Sequence, residues 1–297
     1  MKKLFILSMV VGVMGLTACD PKQEDTYTND QPSVTAEQLR ANSSVIVEQE
    51  NGKNVNYVYV TSSVSTPLQW TNGVTTSVNP TSEFLMLVTG EQTITVTAMN
   101  PDGSKVSVDY PVNIEVLSDN HPVDPHWGIL CGAGSKTWTW DDSKGNVWGN
   151  CGFLTGADGN IGIWWGVPPA DVKDQVEGYS YGFDDSGDAT MTFSLAGTSI
   201  VKSSGGSGTF SFDFSDAALL DNAGVKGVDA DKSNLWAVGL LKTTGDGVLF
   251  PVQINTGTIV TQHYINYIDE DEMALTYASD GTGGWGEATY WFFKAKE

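Results

Sequence analysis

Six of the chain's ten tryptophans, Trp127, Trp138, Trp140, Trp148, Trp164 and Trp165, lie in one stretch among glycines and short β-type runs. Their chemistry is non-covalent. A flat indole either buries a large apolar area in a core, where its N–H needs a partner, or lies exposed and stacks on a flat, weakly polar partner such as a pyranose ring. In the run at 136–140, a strand's period of two puts Trp138 and Trp140 on one face and Thr137 and Thr139 on the other. At 161–165 the same alternation groups Ile161, Ile163 and Trp165 on an apolar face and turns Trp164 away. Trp148 follows a polar turn at 141–146, and Trp285 is enclosed by Gly283, Gly284 and Gly286. Trp148, Trp164 and Trp285 are therefore the expected ligand-binding rings, with Asn146 and Asn150 available to hydrogen-bond hydroxyls. Trp236 and Trp291 sit in apolar strands and are expected in the core, the usual fate of such rings. If every ring is core, the chain is a structural or adhesive protein instead.

Reaction chemistry finds less support. Glycoside hydrolysis needs two carboxyl groups facing each other about 5 to 10 Å apart, and neither the Trp138 strand nor the Phe210 strand places Glu and Asp alternately on one face. Nucleophile-elbow, P-loop and zinc-protease motifs are absent. The expectation is a protein that is not an enzyme, with a glycoside hydrolase as the form that an activity would take. His121, His126 and His263 show no metal or catalytic spacing, so no transition-metal site is expected. For calcium, Asp229, Asp231 and Ser233 begin like an oxygen-ligand loop, but Asn234 replaces the tight-turn glycine and Leu240 the bidentate Glu. The run at 184–188 reads equally well as a metal-free turn. A structural Ca²⁺ is the one cofactor left open.

Fifteen Lys and Arg against 36 Asp and Glu leave a formal net charge of −21. That excludes nucleic acid, which needs a basic footprint, and adsorption to anionic head groups. Neutral or cationic partners remain. Cys131 and Cys151 form a disulfide only if folding brings their Cα atoms within about 7 Å; free buried thiols are the equal alternative.

Stepping along the chain gives five segments. Residues 1–19 read as a lipoprotein signal, with Lys2 and Lys3, an apolar run at 4–15, and Leu16-Thr17-Ala18-Cys19 as lipobox, Cys19 being the lipidated residue. The apolar run falls short of the roughly 20 residues that span a bilayer, so the expected membrane attachment is the lipid anchor alone. Residues 20–31 are polar and acidic, a disordered tether. Residues 32–117 carry short alternating runs between turn signals, a small β-sandwich. Residues 118–125, with Pro122 and Pro125, are a linker. Residues 126–297 form one β-rich unit, expected as two sheets packed in a jelly roll, with an up-and-down barrel as the alternative.

Several of these runs resemble known families. The acidic segment behind Cys19 resembles the surface-export signal of lipoproteins in Gram-negative polysaccharide-utilisation systems. The strand and turn at 90–104, with Trp70-Thr71-Asn72-Gly73, resemble the polycystic-kidney-disease (PKD-like) immunoglobulin fold, which implies a spacer. Leu130, the run at 134–141, Trp148-Gly149, Trp164-Trp165 and the endings at 267–275 and 290–293 are similar to a module that follows PKD-like domains in such lipoproteins. The resemblance implies an all-β chain, an immunoglobulin-like sandwich followed by a larger jelly roll, that is lipid-anchored at the outer membrane and exposed at the cell surface. It implies a polysaccharide ligand and an outer-membrane glycan transporter complex as partner, and it assigns no contact residues.

Overall fold

The computed structural model describes residues 33–151, 163–215, 237–278 and 288–296. The readings placed on Cys19, the tether, Trp236, Trp285 and the 229–234 loop lie outside the described residues.

The chain is mostly β, in two units. In the first, a short helix α1 (Ala36–Ala41) starts at a capping box: the Thr35 hydroxyl accepts from Gln38 N, and the Gln38 side chain accepts from Thr35 N. The helix delivers Leu39 to the core. Strands β1 (Ser43–Glu50), β2 (Lys53–Ser62) and β5 (Thr81–Leu85) make one sheet in that order. Strands β3 (Leu68–Thr71), β4 (Thr76–Ser77), β6 (Gly90–Met99) and β7 (Lys105–Ile114) make another, ordered β4-β3-β6-β7. Alternate residues of both, among them Val58, Val60, Trp70, Phe84, Ile94 and Val96, meet in one core. The β6–β7 hairpin turns at 100–104, where Gly103 takes φ +82° and donates to Asn100 O, the positive φ that glycine adopts freely.

The second unit begins with a helix α2 (His126–Cys131) that sequence reading does not anticipate. Strands β11 (Thr190–Ser194), β12 (Ser199–Lys202), β13 (Ser207–Asp213), β14 (Gly239–Thr243), β15 (Gln262–Ile268), β16 (Glu272–Ala278) and β17 (Ala288–Ala295) form an antiparallel meander. Strand β8 (Ser135–Trp140) pairs with β11 on one side and β17 on the other, closing eight strands into a barrel. The jelly-roll expectation is thus corrected. A jelly roll needs neighbours distant in sequence, whereas here every strand from β11 to β17 pairs with its successor. After α3 (Val172–Gly178) the chain at 179–183 runs through turns and bends.

Strand β17 is shared along one edge. Its C-terminal half faces β8, Phe293 opposite Trp140, and its N-terminal half faces β9 (Trp148–Cys151), Trp291 opposite Trp148. β8 and β9 therefore continue one another across an excursion at 141–147, and β10 (Ile163–Val167) adds to the outer side of β9. Gly149 sits between Gly166 and Tyr290 in register, and a Cβ on either glycine would overlap the neighbouring strand or the Tyr290 hydroxyl. Glycine is required there by close approach.

Period two sorts the barrel wall. Trp138, Trp140, Phe193, Phe210, Trp291 and Phe293 fill the lumen, while Leu240, Tyr264, Ala274, Tyr290 and Phe292 form a second cluster on the other side of the wall. The indole N–H groups are satisfied by backbone: Trp138 donates to Leu130 O, Trp140 to Asp185 O and Trp291 to Phe250 O. Lys202, an inward position of β12, is fully buried against Asp185, with Nζ 2.7 Å from Oδ2 and 2.6 Å from the Tyr181 hydroxyl. Asp185 also accepts from Phe250 N and the Ser204 hydroxyl. Burial pulls the Lys202 ammonium below its ordinary value, and Asp185 opposes that pull.

His263 is also buried in the lumen, edge-on to Trp291. Neither ring nitrogen has a hydrogen-bond partner, and burial pushes its pKa down from 6.5 to about 3. The folded state therefore holds a neutral imidazole while the unfolded chain takes up a proton below pH 6.5. Stability from this residue is complete above pH 6.5 and is lost as pH falls toward 3, at about 1.4 kcal/mol per unit. Urea unfolding at pH 6.5 and pH 5 should show wild type losing about 2 kcal/mol more than His263→Leu across that interval. Equal losses in the two proteins would contradict the assignment.

Candidate functional site

The exposed aromatic surface lies on β10. Trp164 and Trp165 are 52% and 47% exposed, and Ile163 beside them is 41% exposed. Regular alternation predicts that Trp165 is buried with Ile163, and this is corrected by the register. Ile163 faces Cys151 and Trp165 faces Asn150, so Trp164 is an extra residue, a β-bulge. A bulge breaks the period of two and re-aims the side chains around it. Gly162 and Gly166 bracket the pair, the sequence signal from which a bulge is readable.

Trp148 is also corrected. It is 0% exposed, donates from Nε1 to Val252 O at 3.1 Å, and meets Phe250 and Tyr179 edge-on. The polar turn before it ends at Asn146, and β9 is covered on both edges by β10 and β17, so local polarity says little about the ring. Its part in the surface is support: Trp165 stands on it edge-on, centroids 6.4 Å apart at 81°. Asn150 lies opposite Trp165 in register, and the Asn146 Cβ approaches Gly166. The two asparagines are half-buried and flank the strand that carries the exposed rings. The structure thus gathers Trp164, Asn146 and Asn150, adds Trp165 and moves Trp148 behind them.

Two clefts flank the excursion at 141–147. One, of about 710 Å³, is lined by Trp140, Asp142, Pro168, Asp188, Lys294 and Lys296, and Pro168 directly follows β10. Lys294 pairs with Asp142, which raises the lysine pKa and lowers the carboxyl's. The other, of about 270 Å³, lies beside Asp141, Lys144, Tyr267 and Glu272. Asp141 is buried, and its Oδ1 accepts from the Ser143 N and hydroxyl, while Lys144 reaches Glu272 at 2.7 Å. Both clefts therefore present paired charges, donors and acceptors side by side.

The remaining readings fall elsewhere. Trp127 packs on Phe210 and Phe212. Cys131 and Cys151 are buried without a disulfide, and they belong to different clusters, one in the lumen and one outside it. Burial raises the Cys131 thiol to about 12. In the 184–188 run, Asp184 closes a turn onto Ser186 and Asp185 is committed to Lys202, so that run is a structural turn. No helix of the described residues is long and apolar enough to cross a membrane. No protein-family model matches the chain, and no curated protein matches it.

Proposed function

We propose that this chain is a lipid-anchored surface protein whose barrel captures polysaccharide on the Trp164–Trp165 edge, as an accessory to glycan uptake. The observation that carries the reading is this pair of half-exposed indoles on a bulged strand, backed by the buried Trp148 and flanked by Asn146 and Asn150. The lumen is filled by rings, which leaves the outside of the barrel for a ligand. Stacking supplies affinity and the asparagine amides orient hydroxyls. The first unit serves as spacer. The reading of it as a PKD-like immunoglobulin domain is supported by its three- and four-stranded sheets and by the buried Trp70 on β3.

Affinity electrophoresis of the full chain in gels containing neutral polysaccharides tests the ligand. Retardation by at least one glycan, undiminished at high salt, is the expected result, because stacking is not screened as ion pairs are. Mobility unchanged in every neutral glycan would oppose the proposal. For the anchor, Cys19→Ala should move the protein from the membrane fraction to the soluble fraction or block its processing, with glycan retardation unchanged. Full membrane retention of that variant would remove the lipid anchor from the account.

A further inference from the structure

Three metal-ligating side chains converge on the outer face of the β1-β2-β5 sheet, in the spacer unit. Val45 and Val47 of β1 pack on the core, so Glu48 and Glu50, two apart on the same strand, share the opposite face. A register shift between Val47 and Gln49 lies at Glu48. The third residue, His121, belongs to the connection leading to the barrel. Asn56 pins that connection from below, its Nδ2 donating to His121 O at 2.9 Å and its Oδ1 accepting from Ser118 N at 2.7 Å. The imidazole lies flat on Tyr57, centroids 4.0 Å apart at 12°.

One donor atom from each residue lies within 4.8 Å of the other two, and His121 Nε2 stands 3.4 Å from Glu48 Oε1. Each carboxylate is oriented by its second oxygen. Tyr59 donates to Glu48 Oε2 at 2.8 Å, leaving Oε1 toward the histidine. Ser118 and Asn120 donate to Glu50 Oε1 at 2.5 and 3.0 Å, leaving Oε2. Those hydrogen bonds hold the Glu50 carboxyl below its ordinary value, in the anionic form a metal requires.

We propose that Glu48, Glu50 and His121 bind a divalent transition-metal ion of the Zn²⁺ type, which clasps the 118–121 segment, and with it the connection to the barrel, onto β1. Two ligands at about 2.0–2.1 Å from a tetrahedral ion stand roughly 3.4 Å apart, the separation found between His121 and Glu48. Imidazole in the set favours zinc-like ions over Mg²⁺ and Ca²⁺, which prefer all-oxygen shells. His121 and Glu48 remain about a quarter exposed, at 22% and 28%, which leaves an open position for water. A net charge of −21 adds a field that concentrates cations. A plain His–Glu hydrogen bond accounts for Glu48 and the Ser118 and Asn120 hydrogen bonds for one Glu50 oxygen, whereas a shared ion accounts for all three residues placing a donor atom together.

The test uses the full chain, purified without a polyhistidine tag and stripped with chelator, titrated calorimetrically with ZnCl₂ and followed by visible absorption with Co²⁺. One ion per chain should bind, with excess Mg²⁺ or Ca²⁺ failing to displace it. Affinity should fall at least tenfold in His121→Ala, Glu48→Gln and Glu50→Gln. Hydrogen exchange at 118–121 should slow on metal addition in wild type only. Glu50→Gln keeps an acceptor for Ser118 and Asn120, which covers failure of His121→Ala to fold. Absence of uptake by wild type, or uptake undiminished in all three variants, would overturn the site.

Discussion

Asp185→Ala is expected to lower the unfolding free energy by about 3–5 kcal/mol at pH 7, the cost of leaving a buried charge without its counter-ion. The side chains of Asp185 and Lys202 are both fully buried, and the carboxylate also serves Phe250 N and the Ser204 hydroxyl. Phe250 N and the Ser204 hydroxyl lose their acceptor together, and Lys202 Nζ keeps only the Tyr181 hydroxyl and the Asp246 and Val248 carbonyls, with no counter-ion in contact. The deficit should shrink as pH rises: with Asp185 gone, the Lys202 pKa is depressed further in the fold. The unfolded chain then binds more protons than the native one, and stability climbs toward the ordinary lysine value near 10.4. Asp185→Leu combined with Lys202→Met should recover most of the loss, because an apolar pair leaves no unpaired charge. Urea unfolding of the three proteins at pH 7 and pH 9 checks this. A double variant as unstable as Asp185→Ala would mean that the loss comes from the Asp185 turn itself, including its carbonyl bond to Trp140, and not from the stranded ammonium.

Sequence reading reached what local pattern controls. All-β character follows from runs with period two. Burial of Trp291 follows from its apolar strand. The order of strands does not, because closure rests on Trp140 meeting Phe293, residues distant in sequence whose types would suit a sandwich equally well. Strands β12 and β15 were hidden by polar residues at inward positions. Lys202 interrupts the apolar pattern of one and His263 that of the other, and the Asp185 that makes Lys202 tolerable lies outside the strand. At the aromatic edge the direction of Trp164 was readable and that of Trp165 was not, since a single inserted residue reverses the face of everything beyond it. The Glu48, Glu50 and His121 convergence had no sequence signature, because its histidine arrives from a segment far along the chain.

Trp164→Ala with Trp165→Ala is expected to abolish most glycan affinity at nearly unchanged stability. Each ring stacked on a sugar contributes roughly 1–2 kcal/mol from buried area and ring geometry, so losing both should weaken binding roughly 30- to 700-fold. Both rings sit on the outer strand β10, about half exposed, and their removal leaves β9 paired with β17 and Trp148 bonded to Val252. Trp291→Ala should behave oppositely. It empties a fully buried site in the lumen, typically a cost of about 3–5 kcal/mol, while the molecules that still fold keep their affinity. The most direct measurement is calorimetric titration of the retarding glycan into wild type, the Trp164→Ala/Trp165→Ala double variant and Trp291→Ala, with melting temperatures recorded on the same samples. The account predicts a dissociation constant raised at least 30-fold in the double variant with its melting temperature within a few degrees of wild type. A double variant that melts with wild type and binds within twofold of it would contradict the claim that this edge holds the glycan.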